Sequence, residues 1–255
     1  MMDDSIDKSD RGEDIIEGRN AVTEALRAGR PMVKLFLQSG LDDPSIRNIA
    51  SRARAAGIAV VEADRRKLDR MSFTRAHQGV IAIAAAHEYV SVDEILRKAA
   101  DKCQDPLVVV CDGLSDPHNL GAIIRTADAA GAHGVIIPKR RSAGLTSVVA
   151  KASAGAVEYV PVARVTNIAS VLRELKKKGL WICGTAADGS KSLYDADLKC
   201  PIAIVIGSEG EGMARLVADT CDYTVSIPMS GKINSLNASA AAAVLLYEAV
   251  RQRMG

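Results

Sequence analysis

Asp116-Pro-His-Asn-Leu-Gly-Ala-Ile-Ile-Arg-Thr-Ala127 joins an apolar run to an amphipathic helical pattern and sets an amide, Asn119, and a guanidinium, Arg125, on the connection. Upstream, Leu107-Val-Val-Val-Cys111 is a short β-branched run of the kind buried in a parallel sheet. Downstream, Gly134-Val-Ile-Ile-Pro138 is another, so the segment between them reads as a crossover helix. In such a sheet ligands gather at the carboxyl ends of the strands, and Asn119 and Arg125 follow one of those ends. The same alternation continues outward. A helix is expected from Val92 to Ala100 and another from Asn167 to Lys178, closed by Gly179. Strands are expected at Leu180–Cys183, Ile202–Ile206 and Tyr223–Ile227, with a helix near Met213–Thr220 and a long alanine-rich helix from Asn237 to Arg253. The fold class is therefore α/β, with a parallel sheet covered on both faces.

Towards the amino terminus the chain divides. Residues 1–17 carry seven acidic and two basic side chains, whereas residues 18–100 carry nine acidic and fourteen basic ones. An acidic disordered tail over 1–14 thus precedes a small basic α/β domain over 15–87, with 88–105 a linker and first helix and 106–255 the catalytic candidate. Removing residues 1–13 is expected to change little. In the small domain, helices are expected over Asn20–Arg27, Ser45–Ala56 and Arg65–Met71, and strands over Val33–Leu37, Ile58–Val61 and Gly79–Ala84. Its arginines and lysines, from Arg19 to Arg75, are candidate phosphate contacts and equally an ordinary solvated surface.

Composition excludes several classes. At 48% hydrophobic residues the 255-residue chain can build a core, but 3% aromatics leave little for a base-stacking platform. No apolar run reaches membrane-spanning length and the polar start lacks a signal-peptide layout, so a cytoplasmic protein with no membrane partner is expected. Cys103, Cys111, Cys183, Cys200 and Cys221 are scattered without metal-ligand spacing, and no metal is expected.

Gly207-Ser-Glu-Gly-Glu-Gly212 follows a strand, yet its spacing matches neither the dinucleotide fingerprint nor the phosphate loop. Glu209 and Glu211 would repel a pyrophosphate, so a neutral or cationic ligand is preferred. Taken alone, Glu209 can also be a first-turn carboxylate favoured by a helix dipole, Asn119 a turn residue after Pro117, and Ser235 and Asn237 caps of the last helix. Ile227 and Leu236, taken alone, read as core.

Three motifs in one order, Asp116–Ala127, Ile204–Met213 and Ile227–Ser239, make the chain resemble the SpoU class of SPOUT methyltransferases over roughly residues 15–253. It looks most like the members that methylate the ribose 2′-hydroxyl of a guanosine in 23S ribosomal RNA. The resemblance implies S-adenosylmethionine as cofactor, RNA rather than DNA as partner, a homodimer through the last helix, and a trefoil knot in the carboxyl-terminal domain. It further implies that Arg125, with Asn119, Glu209, Ser235 and Asn237, serves the chemistry, and that Thr185, Gly207, Gly210, Ile227, Met229 and Leu236 line the cofactor site. Because arginine is a poor base, Arg125 reads as stabilising a developing alkoxide, with the proton acceptor left open. A transfer-RNA methyltransferase of the same fold and a non-catalytic RNA-binding protein are the alternatives; a nicotinamide-dependent oxidoreductase lacks its glycine fingerprint.

Overall fold

The computed structural model describes residues 13–232 and 235–254, and its chain divides into one unit that ends at Glu88 and a second that begins at Tyr89. The first unit runs β1 (Glu13–Glu17), α1 (Arg19–Arg27), β2 (Met32–Gln38), α2 (Pro44–Ala55), β3 (Ala59–Ala63), α3 (Arg65–Met71) and β4 (Val80–Ala85). Its sheet has the order β1-β4-β2-β3, parallel only between β2 and β3. Leu35, Leu37, Val80 and Ala82 point to one face and meet Val22 of α1 and Ile46, Ile49 and Ala53 of α2. Phe36 and Ile81, one residue out of phase, meet Leu68 of α3 on the other face, as the two-residue period of a strand requires.

Asp43 starts α2 by accepting from the Ser45 N–H at 2.8 Å, with Pro44 in the first helical position where its missing N–H costs nothing. Two sequence expectations are corrected in this unit. Glu13 and Asp14 belong to β1, opposite Ala85 and Ala84, so a truncation that spares the sheet ends at residue 12. The expected tail over 1–12 lies outside the described residues. Among the candidate phosphate contacts, Arg19 pairs with Asp43 and Arg27 with Glu24. Arg54, Arg66, Arg70 and Arg75 make no ion pair among the described residues.

The second unit runs α4 (Val92–Asp101), β5 (Leu107–Cys111), α5 (Pro117–Ala129), β6 (Gly134–Pro138), α6 (Ser147–Ala152), β7 (Val162–Val165), α7 (Ile168–Lys177), β8 (Trp181–Thr185), β9 (Lys191–Ser192), β10 (Ile202–Ile206), α8 (Arg215–Ala218), β11 (Tyr223–Ser226) and α9 (Ala238–Met254). All pairings in its seven-stranded sheet are parallel, in the order β7-β6-β5-β10-β8-β11-β9. Leu107, Val109, Ile204 and Ile206 pack under α5, α6 and α9, while Val108, Val110, Ala203 and Val205 pack under α4 and α7. Both faces are buried, which is why these strands read as unbroken apolar runs rather than alternating ones.

Helix α4 starts at a reciprocal capping box between Ser91 and Glu94 and contributes Ile95 to this core, as the first helix of the second unit. The helix expected over Met213–Thr220 shrinks to the four residues of α8, and α6, β7 and the two-residue β9 carry too little periodicity to be read from sequence. Strand β11 lies between β8 and β9, both of which precede it in the chain.

Burial pushes the Cys111 and Cys183 thiols up to about 12, so they behave as small apolar residues. Among the described residues no group of side chains is arranged to hold a metal, and no helix is long and apolar enough to cross a membrane.

Candidate active site

From β5 the chain turns to β6 on one side of the sheet, whereas from β10 it passes to β11 on the other. The crevice outside the carboxyl ends of these two neighbouring strands is where an open parallel sheet binds ligands. Three separate segments converge there: the β5–α5 connection, the loop after β10, and the start of α9.

Their meeting point is a trio of polar side chains. The Asn119 amide donates from Nδ2 to Glu209 Oε1 at 3.1 Å, and Asn237 Nδ2 donates both to Asn119 Oδ1 at 2.9 Å and to the same Glu209 oxygen. The Ala238 N–H donates to Glu209 Oε1 at 3.1 Å. Asn237 also caps α9, accepting on Oδ1 from the N–H and hydroxyl of Ser239 at 3.0 and 2.6 Å. Glu209 thus acts as a carboxylate at a helix N-terminus, but of α9 rather than of the helix that follows it in sequence. Asn119 is buried at 6% exposure and sits inside the first turn of α5, not in a preceding turn.

Gly207 is required for a reason that the sequence hid. A Cβ built on it would lie 2.3 Å from the carbonyl carbon of Gly212 and 2.4 Å from the Met213 nitrogen. The loop folds back as a miniature hairpin, with Ser208 and Gly212 exchanging backbone hydrogen bonds of 2.9 Å in both directions. Gly210, at φ 84° with open space around its α-carbon, forms the tip. Because Ser208 and Gly212 use their N–H groups on each other, they cannot cradle a phosphate.

The remaining expected cofactor residues lie along the same edge. Thr185 ends β8 half-buried, Ile227 follows β11 half-buried against the core, and Met229 and Leu236 each remain 39% exposed. Residues 207–213 carry two carboxylates and no cation. An acidic hairpin beside incompletely covered apolar side chains fits a ligand that bears positive charge and an apolar body, and disfavours a pyrophosphate.

Two expected residues are not joined to this cluster. Arg125 is six positions beyond Asn119 on α5, about 120° round and about 9 Å along the axis. It is exposed, and its side chain makes no hydrogen bond or ion pair among the described residues. Ser235 is exposed and does not cap α9, a role taken by Asn237.

Two further residues were missed. Asp112, at the end of β5, accepts from the Ala214 N–H at 2.7 Å and holds the exit of the glycine hairpin. A Cβ on Gly189 would lie 2.4 Å from the Val225 carbonyl carbon, so the segment after β8 presses against β11. A cleft of about 570 Å3 opens at the opposite, amino-terminal end of the strands, beside Lys102, His133 and Arg253. Its groups are engaged structurally: His133 Nδ1 accepts from the Leu107 N–H at 3.0 Å, and Arg253 donates to the carbonyls of Asp105, Pro106, Leu198 and Cys200.

Comparison with known proteins places this geometry. Residues 106–247 match the SpoU rRNA Methylase family, and residues 15–90 match the RNA 2′-O ribose methyltransferase substrate binding family. YacO of Bacillus subtilis, assigned to the TrmH family of tRNA/rRNA methyltransferases, is 48% identical over 240 residues, covering 94% of this chain and 96% of its own. The SpoU methyltransferase AviRb of Streptomyces viridochromogenes, solved in complex with S-adenosylmethionine, is 30% identical with a TM-score of 0.82, over 96% of this chain and 91% of that one. A solved RNA 2′-O ribose methyltransferase is 31% identical with a TM-score of 0.80, over 96% and 90% of the two chains. With both halves matched and the crevice in place, the chain belongs to the SpoU, TrmH-like family of S-adenosylmethionine-dependent RNA methyltransferases.

Proposed function

We propose that the chain methylates a ribose 2′-hydroxyl of RNA, and that its target is a guanosine of 23S ribosomal RNA. The observation that carries this reading is the Asn119–Glu209–Asn237 trio, which locks three loops into one crevice at the carboxyl edge of the sheet. S-adenosylmethionine, when bound, supplies an electrophilic methyl group on a positively charged sulfur. Thr185, Gly207, Gly210, Ile227, Met229 and Leu236 would hold it along that edge. The trio would hold the crevice in which the ribose oxygen is presented to that methyl, and positioning of this kind is worth several kcal/mol of barrier in well-oriented reactions. Arg125, through its planar fork of N–H donors, orients a phosphate and stabilises the alkoxide as it develops. Ser235 lies on the approach to Asn237 and would contact the substrate.

The basic unit ending at Glu88 favours a large structured RNA, and its match to the 2′-O ribose substrate-binding family favours the ribose hydroxyl over a base. The alternative target is a transfer RNA, since relatives carry the joint tRNA/rRNA description. Mapping 2′-O-methyl sites in ribosomal and transfer RNA from cells with and without the protein separates the two. Arg125→Ala is expected to lower methyl transfer by about 10³-fold while S-adenosylmethionine affinity, measured by calorimetry, stays within about threefold. Wild-type turnover in that variant removes Arg125 from the chemistry.

We also propose a homodimer. Ala240, Tyr247 and Met254 fall at seven-residue spacing on the exposed side of α9, with Tyr247 52% and Met254 84% exposed. The knotted threading implied by the resemblance belongs to the same reading and is compatible with β11 lying between two earlier strands. Sedimentation at micromolar concentration is expected to give twice the chain mass, and Tyr247→Asp to shift it to the monomer; a monomeric wild type refutes the dimer.

A further inference from the structure

The loop that follows β6 presents Lys139, Arg140 and Arg141 in a row, all exposed and without a hydrogen bond or ion pair from their side chains among the described residues. The backbone beneath them is held firmly. The Lys139 N–H donates to the Val165 carbonyl at 2.8 Å, and Arg164 Nη2 donates to the Lys139 carbonyl at 3.1 Å. The Arg164 guanidinium in turn lies 5.3 Å from the centroid of the Tyr89 ring, and the Tyr89 hydroxyl accepts from the Leu145 N–H at 2.9 Å. Gly144 leaves room for that hydroxyl, since a Cβ there would approach it to 3.1 Å. The Ala143 N–H donates to the Leu114 carbonyl at 2.8 Å, tying the loop to the very connection that leads into Asn119. Arg141 occupies φ 57°, a conformation costly for a side-chain-bearing residue, so the fold holds an arginine where glycine would be easier.

No acidic side chain forms an ion pair with this row among the described residues. Asp112, Asp116 and Glu209 are each held by backbone N–H groups, those of Ala214, His118 and Ala238. Strand β6 is the immediate neighbour of β5 and the second neighbour of β10, so the loop emerges about 5–10 Å to the side of the crevice. Three exposed, unpaired cations thus stand on a pinned loop, one or two strand spacings from the crevice, where a polynucleotide lying across it would bring its phosphates.

We propose that Lys139, Arg140 and Arg141 grip the RNA phosphate backbone next to the target ribose, as positioning residues that set where the strand lies across the crevice. This rests on the RNA 2′-O-methyltransferase reading and adds to it a phosphate subsite within the catalytic unit. The loop carries no chemistry; its charges act on binding and register.

The test uses the full-length protein with two probes, unmodified 23S ribosomal RNA and unmodified transfer RNA transcripts. Replacing all three residues by alanine is expected to reduce the slope of log affinity against log salt by about two to three, at close to one per lost phosphate contact. With the methylated transcript, KM is expected to rise about tenfold while kcat stays within about threefold, as loss of uniform binding requires. S-adenosylmethionine affinity, measured by calorimetry, reports that the crevice is intact; if it falls, Arg140→Ala alone carries the test, with a slope change of about one. A charge-retaining variant, Arg140→Lys with Arg141→Lys, is expected to restore the wild-type slope. An unchanged slope and KM in the alanine variant, or a charge-retaining variant as impaired as the alanine one, overturns the proposal. If the wild type methylates neither transcript, the proposed function fails, while the salt slopes on the same transcripts still judge the phosphate subsite.

Discussion

Gly207→Ala is expected to weaken cofactor binding by about 100-fold while leaving most of the fold standing. The added methyl would fall 2.3 Å from Gly212 and 2.4 Å from Met213, both main-chain atoms of the hairpin that closes over β10. A flexible side chain could swing away from such a contact; a backbone braced by paired 2.9 Å hydrogen bonds cannot. The hairpin must therefore open, carrying Glu209 away from Asn119 and Asn237. Overpacking of this kind costs about 1–3 kcal/mol, which lowers the melting temperature by a few degrees in a unit of this size. Because the displaced segment lines the crevice, S-adenosylmethionine affinity is expected to fall by about 100-fold, equivalent to about 2.7 kcal/mol. Gly210→Ala is the control: it strains a φ of 84° but meets nothing within 4 Å, so affinity should change only a few-fold. Equal affinities for the Gly207 variant and the wild type would refute this account of the loop.

Asn119→Asp is the second change with a large expected effect, and it is nearly isosteric. It exchanges an amide donor 3.1 Å from Glu209 Oε1 for a second carboxylate. Two charges at about 4 Å repel by about 4 kcal/mol at an effective dielectric near 20, and by about 1 kcal/mol where solvent screens them as in water. Glu209 is exposed, so the lower part of that range applies to stability. The variant pair relieves the repulsion by keeping a proton, so the pair's apparent pKa rises above that of an unfolded carboxyl. In the window between the two values the folded state binds more protons than the unfolded state, and stability falls as pH rises. The Asn119→Asp protein is therefore expected to melt close to the wild type at pH 4 to 5 and several degrees below it at pH 8. Methyl transfer at pH 8 should drop by about 100-fold as the three loops separate. Melting curves that stay parallel across this pH range would refute the role assigned to the trio.

Much of this molecule was legible in the residues because its central strands are buried on both faces. Leu107–Cys111, Gly134–Pro138 and Ile202–Ile206 are unbroken apolar runs, and the strands begin and end where those runs do. Lys191–Ser192 has no such signature: it is a strand only because β11 supplies a partner, and its alternation is too short to read. Helix α8 begins only at Arg215, after Ala214, whose N–H donates to Asp112, 102 residues earlier in the chain.

The candidate site divides along the same line. Asn119, Glu209 and Asn237 could each be picked out by motif, but their mutual bonds span 90 and 118 residues and exist only once the sheet has brought three loops together. For Gly207, the motif implied a place in the cofactor lining but not the close approach of the protein's own hairpin, which only the folded chain shows. Arg125 was read as a neighbour of Asn119 from its place on one connection; helix geometry turns it to another side.

The place of β11 bears on how the polypeptide reaches this state during synthesis. A chain halted at residue 222 would already contain β8 and β9, yet neither could complete the sheet, since the strand that separates them has not been made. The nascent protein would show one bare edge along Trp181–Thr185 and an orphan dipeptide strand, a template for pairing with other chains. Ribosomal pausing or proteolysis just before Tyr223 should therefore yield an aggregating fragment, whereas the amino-terminal unit, whose four strands are all in place by Ala85, is free to fold long before release.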